Sequence, residues 1–121
     1  MSNFLYVYGT LRPGNTEIFK VPGALYDLGW FPGIKLVDFI IHGRQAEVSC
    51  EKIEVKDWDA VDRYEGYRPA DPASSLYIRR PFYDGFIYEF NQPLLDHKLI
   101  KSGDWLEYTQ QKKGVAHERV G

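Results

Sequence analysis

Two short stretches carry residue types suited to acid–base chemistry on a small molecule, Asp57 to Glu65 and Tyr8 to Gly14. In the first, Asp57 is a good helix N-cap, and Gly66 supplies a C-terminal stop. Trp58, Val61 and Glu65 then recur at i, i+3 and i+7, on one helical face. A carboxyl that shares a face with apolar side chains is drawn out of water, which raises its pKa toward neutrality and fits it to take up and return a proton. The competing reading of Glu65 is a solvated charge at a helix end. Asp59 and Asp62 read as surface residues. In the second stretch, the aromatic and β-branched run Phe4 to Tyr8 stops at Gly9, which can take backbone angles that other residues avoid, and Pro13 and Gly14 turn the chain. The break predicts unpaired backbone N–H groups over Tyr8, Gly9, Thr10 and Leu11, which suit a carboxylate or a developing oxyanion. A tight strand-exit turn with no ligand is the alternative.

Other chemistries find less support. Gly9 to Thr16 has the spacing of a phosphate-binding loop but carries Asn15 where the phosphate-contacting lysine belongs, and Pro13 lacks an N–H. His42, His97, His117 and Cys50 show no metal-ligand spacing, so neither a metal nor another cofactor is expected. Ser74-Ser75 lies outside any nucleophile-elbow motif. Arg12 and Arg79 read as partners of surface acids, and Tyr77 as strand packing or a hydrogen-bond partner of a substrate or of Glu65.

The elements that must position these residues are mostly strands. Phe4 to Tyr8 predicts a strand buried on both faces. Asn15 to Lys20 reads as a short helical turn, Ala24 to Trp30 as a strand, Phe31-Pro32-Gly33 as a turn, and Ile34 to His42 as another extended run. In Ala46 to Val55 the alternation slips by one residue, which predicts a β-bulge near Glu51 or Lys52. A helix over 57–65 follows, then a Pro-containing loop, then a hairpin of Leu76 to Phe82 and Phe86 to Phe90 around Asp84-Gly85. Residues 94–101 read as a short helix. The pattern predicts an α+β fold, a small barrel-like sheet with one or two short helices. It spans one domain over 1–108, with a fraying tail over 109–121.

A chain of 121 residues, 44% of them hydrophobic, suffices for one well-packed core. Nine Tyr, seven Phe and three Trp fit a β-rich core or an aromatic-lined pocket. The formal net charge of −2, with acids and bases interspersed, gives no footprint for nucleic acid and no polybasic segment for a membrane, which favours a small-molecule partner. Cys50 stands alone and cannot form an internal disulfide. No signal-peptide pattern or membrane-length apolar span is present, so a cytoplasmic location is expected.

Val7-Tyr8-Gly9-Thr10-Leu11-Arg12 resembles the opening signature of the gamma-glutamylcyclotransferase-like family. Gly23 to Gly29 followed by Phe31-Pro32-Gly33 resembles its second block, and Asp62-Arg63-Tyr64-Glu65-Gly66-Tyr67 its acidic block. Leu76-Tyr77-Ile78-Arg79 is similar to its Tyr-x-Arg strand, and Ile100 to Trp105 to the ending of bacterial members. The chain departs from the family at Gln45-Ala46-Glu47-Val48, where a Gly-Glu-Val strand start is usual. The resemblance implies a compact mixed β-barrel whose cavity lies at the end of the first strand, with Glu65 as catalytic acid/base. The reaction implied is conversion of a γ-glutamyl amine or γ-glutamyl amino acid to 5-oxoproline, without metal or cofactor. The rival readings are a non-catalytic module of the same fold that binds a small anionic ligand, and a protein-interaction module that uses Trp105 and Tyr108 as exposed aromatics.

Overall fold

The computed structural model describes residues 3–111. Its central strand is β1 (Phe4–Val7), whose side chains alternate between two cores. Tyr6 and, just beyond the strand, Tyr8 enter one with Val21, Leu25, Ile34, Val48 and Ile87. Leu5 and Val7 enter the other with Val55, Tyr77, Tyr88 and Phe90. From Leu5 to Tyr8 the apolar run thus has no wet side, whereas Phe4 at its start is exposed.

The remaining elements run in chain order as β2 (Phe19–Pro22), β3 (Ala24–Asp27), β4 (Pro32–Lys35), β5 (Ile40–Ile41), β6 (Arg44–Gln45), β7 (Glu47–Glu54), α1 (Trp58–Glu65), β8 (Tyr77–Phe82), β9 (Gly85–Phe90) and β10 (Lys98–Leu99). A 3₁₀ turn, Pro72–Ser74, precedes β8, and a second helix occupies 105–111. The main sheet has the order β2-β7-β1-β9-β8, and β1 runs parallel to β9 in its middle. A second sheet, β10-β3-β4, and the small pair β5-β6 complete the strands. The mixed α+β class therefore holds, but the strand pairs form three open sheets among the described residues and not one closed barrel.

Local signals set the helix and the hairpin where expected. Asp57 caps α1, its Oδ1 accepting from the Ala60 amide at 3.2 Å, and Gly66 takes the left-handed conformation (φ 71°) that ends it. β8 and β9 pair up to Phe82↔Gly85, leaving Tyr83-Asp84 as the turn.

Non-local pairing overrides the expectation elsewhere. Residues 15–20 form no helical turn, since Phe19 to Pro22 is extended against β7 with Val21 in the core. Pro32-Gly33 does not turn but opens β4, paired with Asp27 and Tyr26. Residues 94–101 contain β10, not a helix, because the edge of β3 offers Lys98 and Leu99 hydrogen-bond partners. The slip in β7 is not a bulge, for neither ladder skips a residue; β7 pairs with β2 over Glu47–Cys50 and with β1 over Glu51–Glu54. Trp105 is buried in the core, and the Tyr108 hydroxyl donates to Asp27 Oδ2 at 2.6 Å, so neither is the exposed aromatic that an interaction module would use. Residues 109–111 continue the second helix, and the rest of the expected tail lies outside the described residues.

The alternation slips because β7 passes from one core to the other, Val48 and Cys50 entering the first and Ile53, with Val55 just beyond the strand, the second; between them lies Glu51, a fully buried carboxylate. Its Oε2 accepts from Arg12 Nε at 2.8 Å and its Oε1 from the Thr16 hydroxyl at 2.8 Å and the Thr16 amide at 3.0 Å. The Gly14 amide lies 3.0 Å from both oxygens, and Arg12 Nη1 reaches Asp104 at 3.0 Å. Arg12 is therefore no surface partner; it ties the loop after β1 to the middle of the sheet.

Removing one side of a buried ion pair strands the other. Arg12→Met is expected to lower unfolding stability at pH 7 by about 3–5 kcal/mol in urea titrations, and Arg12→Met with Glu51→Leu to recover much of the loss. A loss for the single variant below about 1 kcal/mol, the scale of an exposed pair, would show that the pair does not anchor the loop.

Candidate active site

The end of β1 opens into a cavity of about 340 Å³. Residues Leu5 to Leu11 line one side, Pro32 and its two preceding aromatics another, and the end of α1 with the start of β8 the third. Tyr8, Gly9, Thr10, Leu11, Glu65 and Tyr77 all border this one space.

Gly9 is needed here for room. Its φ is not positive, so the unusual backbone angles expected from the sequence are not used. A Cβ at this position would instead lie 2.7 Å from Pro32 Cγ, inside any real contact. Pro32 is held in turn by its carbonyl, which accepts the Tyr77 hydroxyl at 2.5 Å. Among the described residues the amide N–H groups of Gly9, Thr10 and Leu11 donate to no protein acceptor, while the Arg12 amide closes the turn on the Gly9 carbonyl at 3.1 Å.

Glu65 ends α1 with its carboxyl toward the cavity, and among the described residues it has no hydrogen-bond or ion-pair partner. Burial without a partner disfavours the charged form and lifts it from an ordinary 4.5 to about 7. The negative end of the helix dipole acts in the same direction. The phenols around it shift with it. Burial pushes Tyr8 up, with further contributions from Tyr77 and Glu65; burial, then Glu65, does the same for Tyr77. Both hydroxyls are already committed to the backbone. Tyr8 donates to the Tyr88 carbonyl at 2.6 Å and accepts from the Ile34 amide at 3.3 Å, and Tyr77 donates to Pro32. Tyr77 is therefore placed as cavity wall and not as a free donor toward Glu65.

Sequence reasoning missed a buried network beneath Glu65. Asp62 is 4% exposed, not a surface acid. Its Oδ1 accepts the Tyr88 hydroxyl at 2.5 Å and its Oδ2 lies 3.4 Å from Arg79 Nη1. The Arg79 guanidinium sits 4.6 Å from the Trp58 ring centre and 5.2 Å from that of Phe86, so it too is no surface partner. The signal was present, because Asp62 follows Trp58 by four residues and precedes Glu65 by three. Trp30, Tyr64, Leu76 and Tyr88 also border the cavity without having been singled out. No cluster of three metal-ligating side chains occurs among the described residues.

Residues 5–107 match the family described as gamma-glutamyl cyclotransferase, AIG2-like. The chain belongs to that family. Among curated relatives it is 29% identical over 115 residues to the gamma-glutamylcyclotransferase family protein YtfP of Escherichia coli K12, covering 85% of this chain and 96% of the relative. YtfP of Shigella flexneri matches equally, at 29% over 115 residues. The solution NMR structure of ytfP from Escherichia coli superposes with a TM-score of 0.61 at 23% identity, over 88% of this chain and 98% of that one, a likeness of fold. No described helix is long and apolar enough to cross a membrane.

Because the folded pKa of Glu65 lies above its unfolded value, ionisation costs stability. The cost is absent below about 4.5, grows as pH rises, and levels off above about 7. Glu65→Gln carries no charge at any pH, so its advantage in urea midpoint over the native protein should widen across that window. On the order of 2 kcal/mol is expected, allowing for the water that reaches the carboxyl through the mouth. A difference that stays flat from pH 4 to 8.5 would mean that Glu65 ionises as it does in water.

Proposed function

We propose that the protein is a cyclotransferase that converts a γ-glutamyl amine or γ-glutamyl amino acid to 5-oxoproline and the free amine. The observation that carries this reading is Glu65, an unpartnered carboxyl raised to about 7 that faces, across one cavity, a turn with free backbone donors. The substrate's α-nitrogen attacks its own γ-carbonyl carbon, forming the ring C–N bond. Glu65 as carboxylate accepts the proton that this nitrogen sheds and delivers it to the departing nitrogen as the original C–N bond breaks. No water enters and no electrons leave, so no redox cofactor has a step to perform. The amides of Gly9, Thr10 and Leu11 bind the substrate carboxylate or the developing oxyanion, and the tyrosine-lined wall folds the γ-glutamyl chain toward its attack geometry. A carboxyl near 7 is half ionised at neutral pH, which suits a group that must act as base and then as acid. Membership of the gamma-glutamyl cyclotransferase family supports the same chemistry.

Offered a panel of γ-glutamyl compounds, the purified protein is expected to release 5-oxoproline, with kcat/KM rising as pH climbs through about 7. Glu65→Gln should lose about 10²–10⁴ in kcat while still binding substrate, since it keeps the shape of the side chain but cannot carry the proton. Gly9→Val should weaken binding and turnover together, because its Cβ would meet Pro32 at 2.7 Å. Tight binding of a γ-glutamyl compound with no 5-oxoproline from any of them would replace the enzyme with a binding module.

A further inference from the structure

The cavity is built in two zones. Its floor is buried, made by Tyr8, Tyr77 and Tyr88, whereas its rim is exposed and apolar. Trp30 is 91% exposed, Tyr64 64%, and Phe31 and Leu76 37% each. Scattered exposed apolar residues need no explanation, but here four converge on one opening beside Glu65. The Tyr64 hydroxyl lies 3.2 Å from the Thr10 hydroxyl, which bridges the end of α1 to the β1 loop across that opening.

Among the described residues, no Lys, Arg or His lines the cavity. Of the arginines on the elements around it, Arg12 is committed to Glu51 and Asp104, Arg79 to Asp62 between the rings of Trp58 and Phe86, and Arg80 to Glu89, while Arg63 of α1 is exposed and does not line the cavity. On the cyclotransferase reading, the glutamyl half fills the floor with its carboxylate or oxyanion on the free amides. The leaving nitrogen must lie within reach of Glu65, and its substituent then projects to the rim. A second carboxylate on that substituent would be desolvated with no cation to pair it and would face the charge of Glu65.

We propose that Trp30, Phe31, Tyr64 and Leu76 form a leaving-group subsite that selects γ-glutamyl derivatives of apolar or aromatic amines bearing no carboxylate. This rests on the cyclotransferase reading and narrows it, setting aside γ-glutamyl amino acids and peptides. The exposed indole of Trp30 is the face on which an aromatic substituent stacks.

The test compares γ-glutamyl-phenethylamine with γ-glutamyl-phenylalanine, which differ by one carboxylate, and with γ-glutamyl-methylamine, which lacks the ring. Release of 5-oxoproline should be about tenfold or more faster, in kcat/KM, from the phenethyl compound than from either of the others. Trp30→Ala should lower that value several-fold more for the phenethyl than for the methyl compound. Release from the phenylalanine compound at an equal or greater rate overturns the subsite and leaves the cyclotransferase standing. An equal effect of Trp30→Ala on all three removes Trp30 from the subsite. Release from none of the three overturns both readings.

Discussion

The site depends on a buried ion pair that takes no part in its chemistry. Glu51 lies on β7 with no exposure to water, and burying an acid is costly unless every lone pair is used. Arg12, the Gly14 amide and both donors of Thr16 use them. The loop after β1 therefore divides its donors: the Arg12 Nε, the Gly14 amide and both Thr16 donors turn inward to Glu51, and the amides of Gly9, Thr10 and Leu11 are left for the cavity. Because the inner half is fixed to the middle of the sheet, the outer half is held in place before any ligand arrives.

The same chain drives two glutamates in opposite directions. For Glu51 burial alone would raise the pKa, but the Arg12, Thr16 and Gly14 donors outweigh it and hold the carboxyl down at about 2. Glu65 meets burial with no donor and rises to about 7. The number of partners decides the sign, and it separates a structural charge from one poised to exchange protons. Asp62 lies closer to Glu65 in sequence, yet it belongs with the structural kind, since Tyr88 and Arg79 occupy its oxygens and draw α1 onto β9 and β8.

Features encoded within a few residues were legible in the sequence. The cap at Asp57, the stop at Gly66 and the turn at Asp84 define α1 and the β8–β9 hairpin without reference to the rest of the chain. The apolar face of α1 likewise placed Glu65 beside a core. What the sequence hid depends on distant partners. β2 and β10 exist because β7 and β3 offer edges to them, and β7 slips because its two halves serve different cores, with Glu51 between them paired to an arginine 39 residues away. Charge misled as well, because Arg12, Glu51 and Asp62 are buried and Arg79 half-buried, in mutual pairs that no local pattern announces. Gly9 was recognised as necessary, but for its torsional freedom; the reason is the ring of Pro32 against it.

The parallel pairing of β1 with β9 bears on how the molecule is made. Tyr8 bonds to Tyr88, 80 positions along the chain, and Tyr6 to Asp84, 78 along. The strand that heads the cavity is thus among the first parts of this sequence to leave a ribosome and among the last to find its neighbours. Such long loops close slowly, and until they do an aromatic strand with both edges unpaired is open to other chains. The cavity itself draws on residues from Leu5 to Tyr88, so no shorter folding unit contains it. Newly made chains acquire the site only once nearly the whole sheet has assembled, which makes aggregation during synthesis the natural competitor of function for this fold.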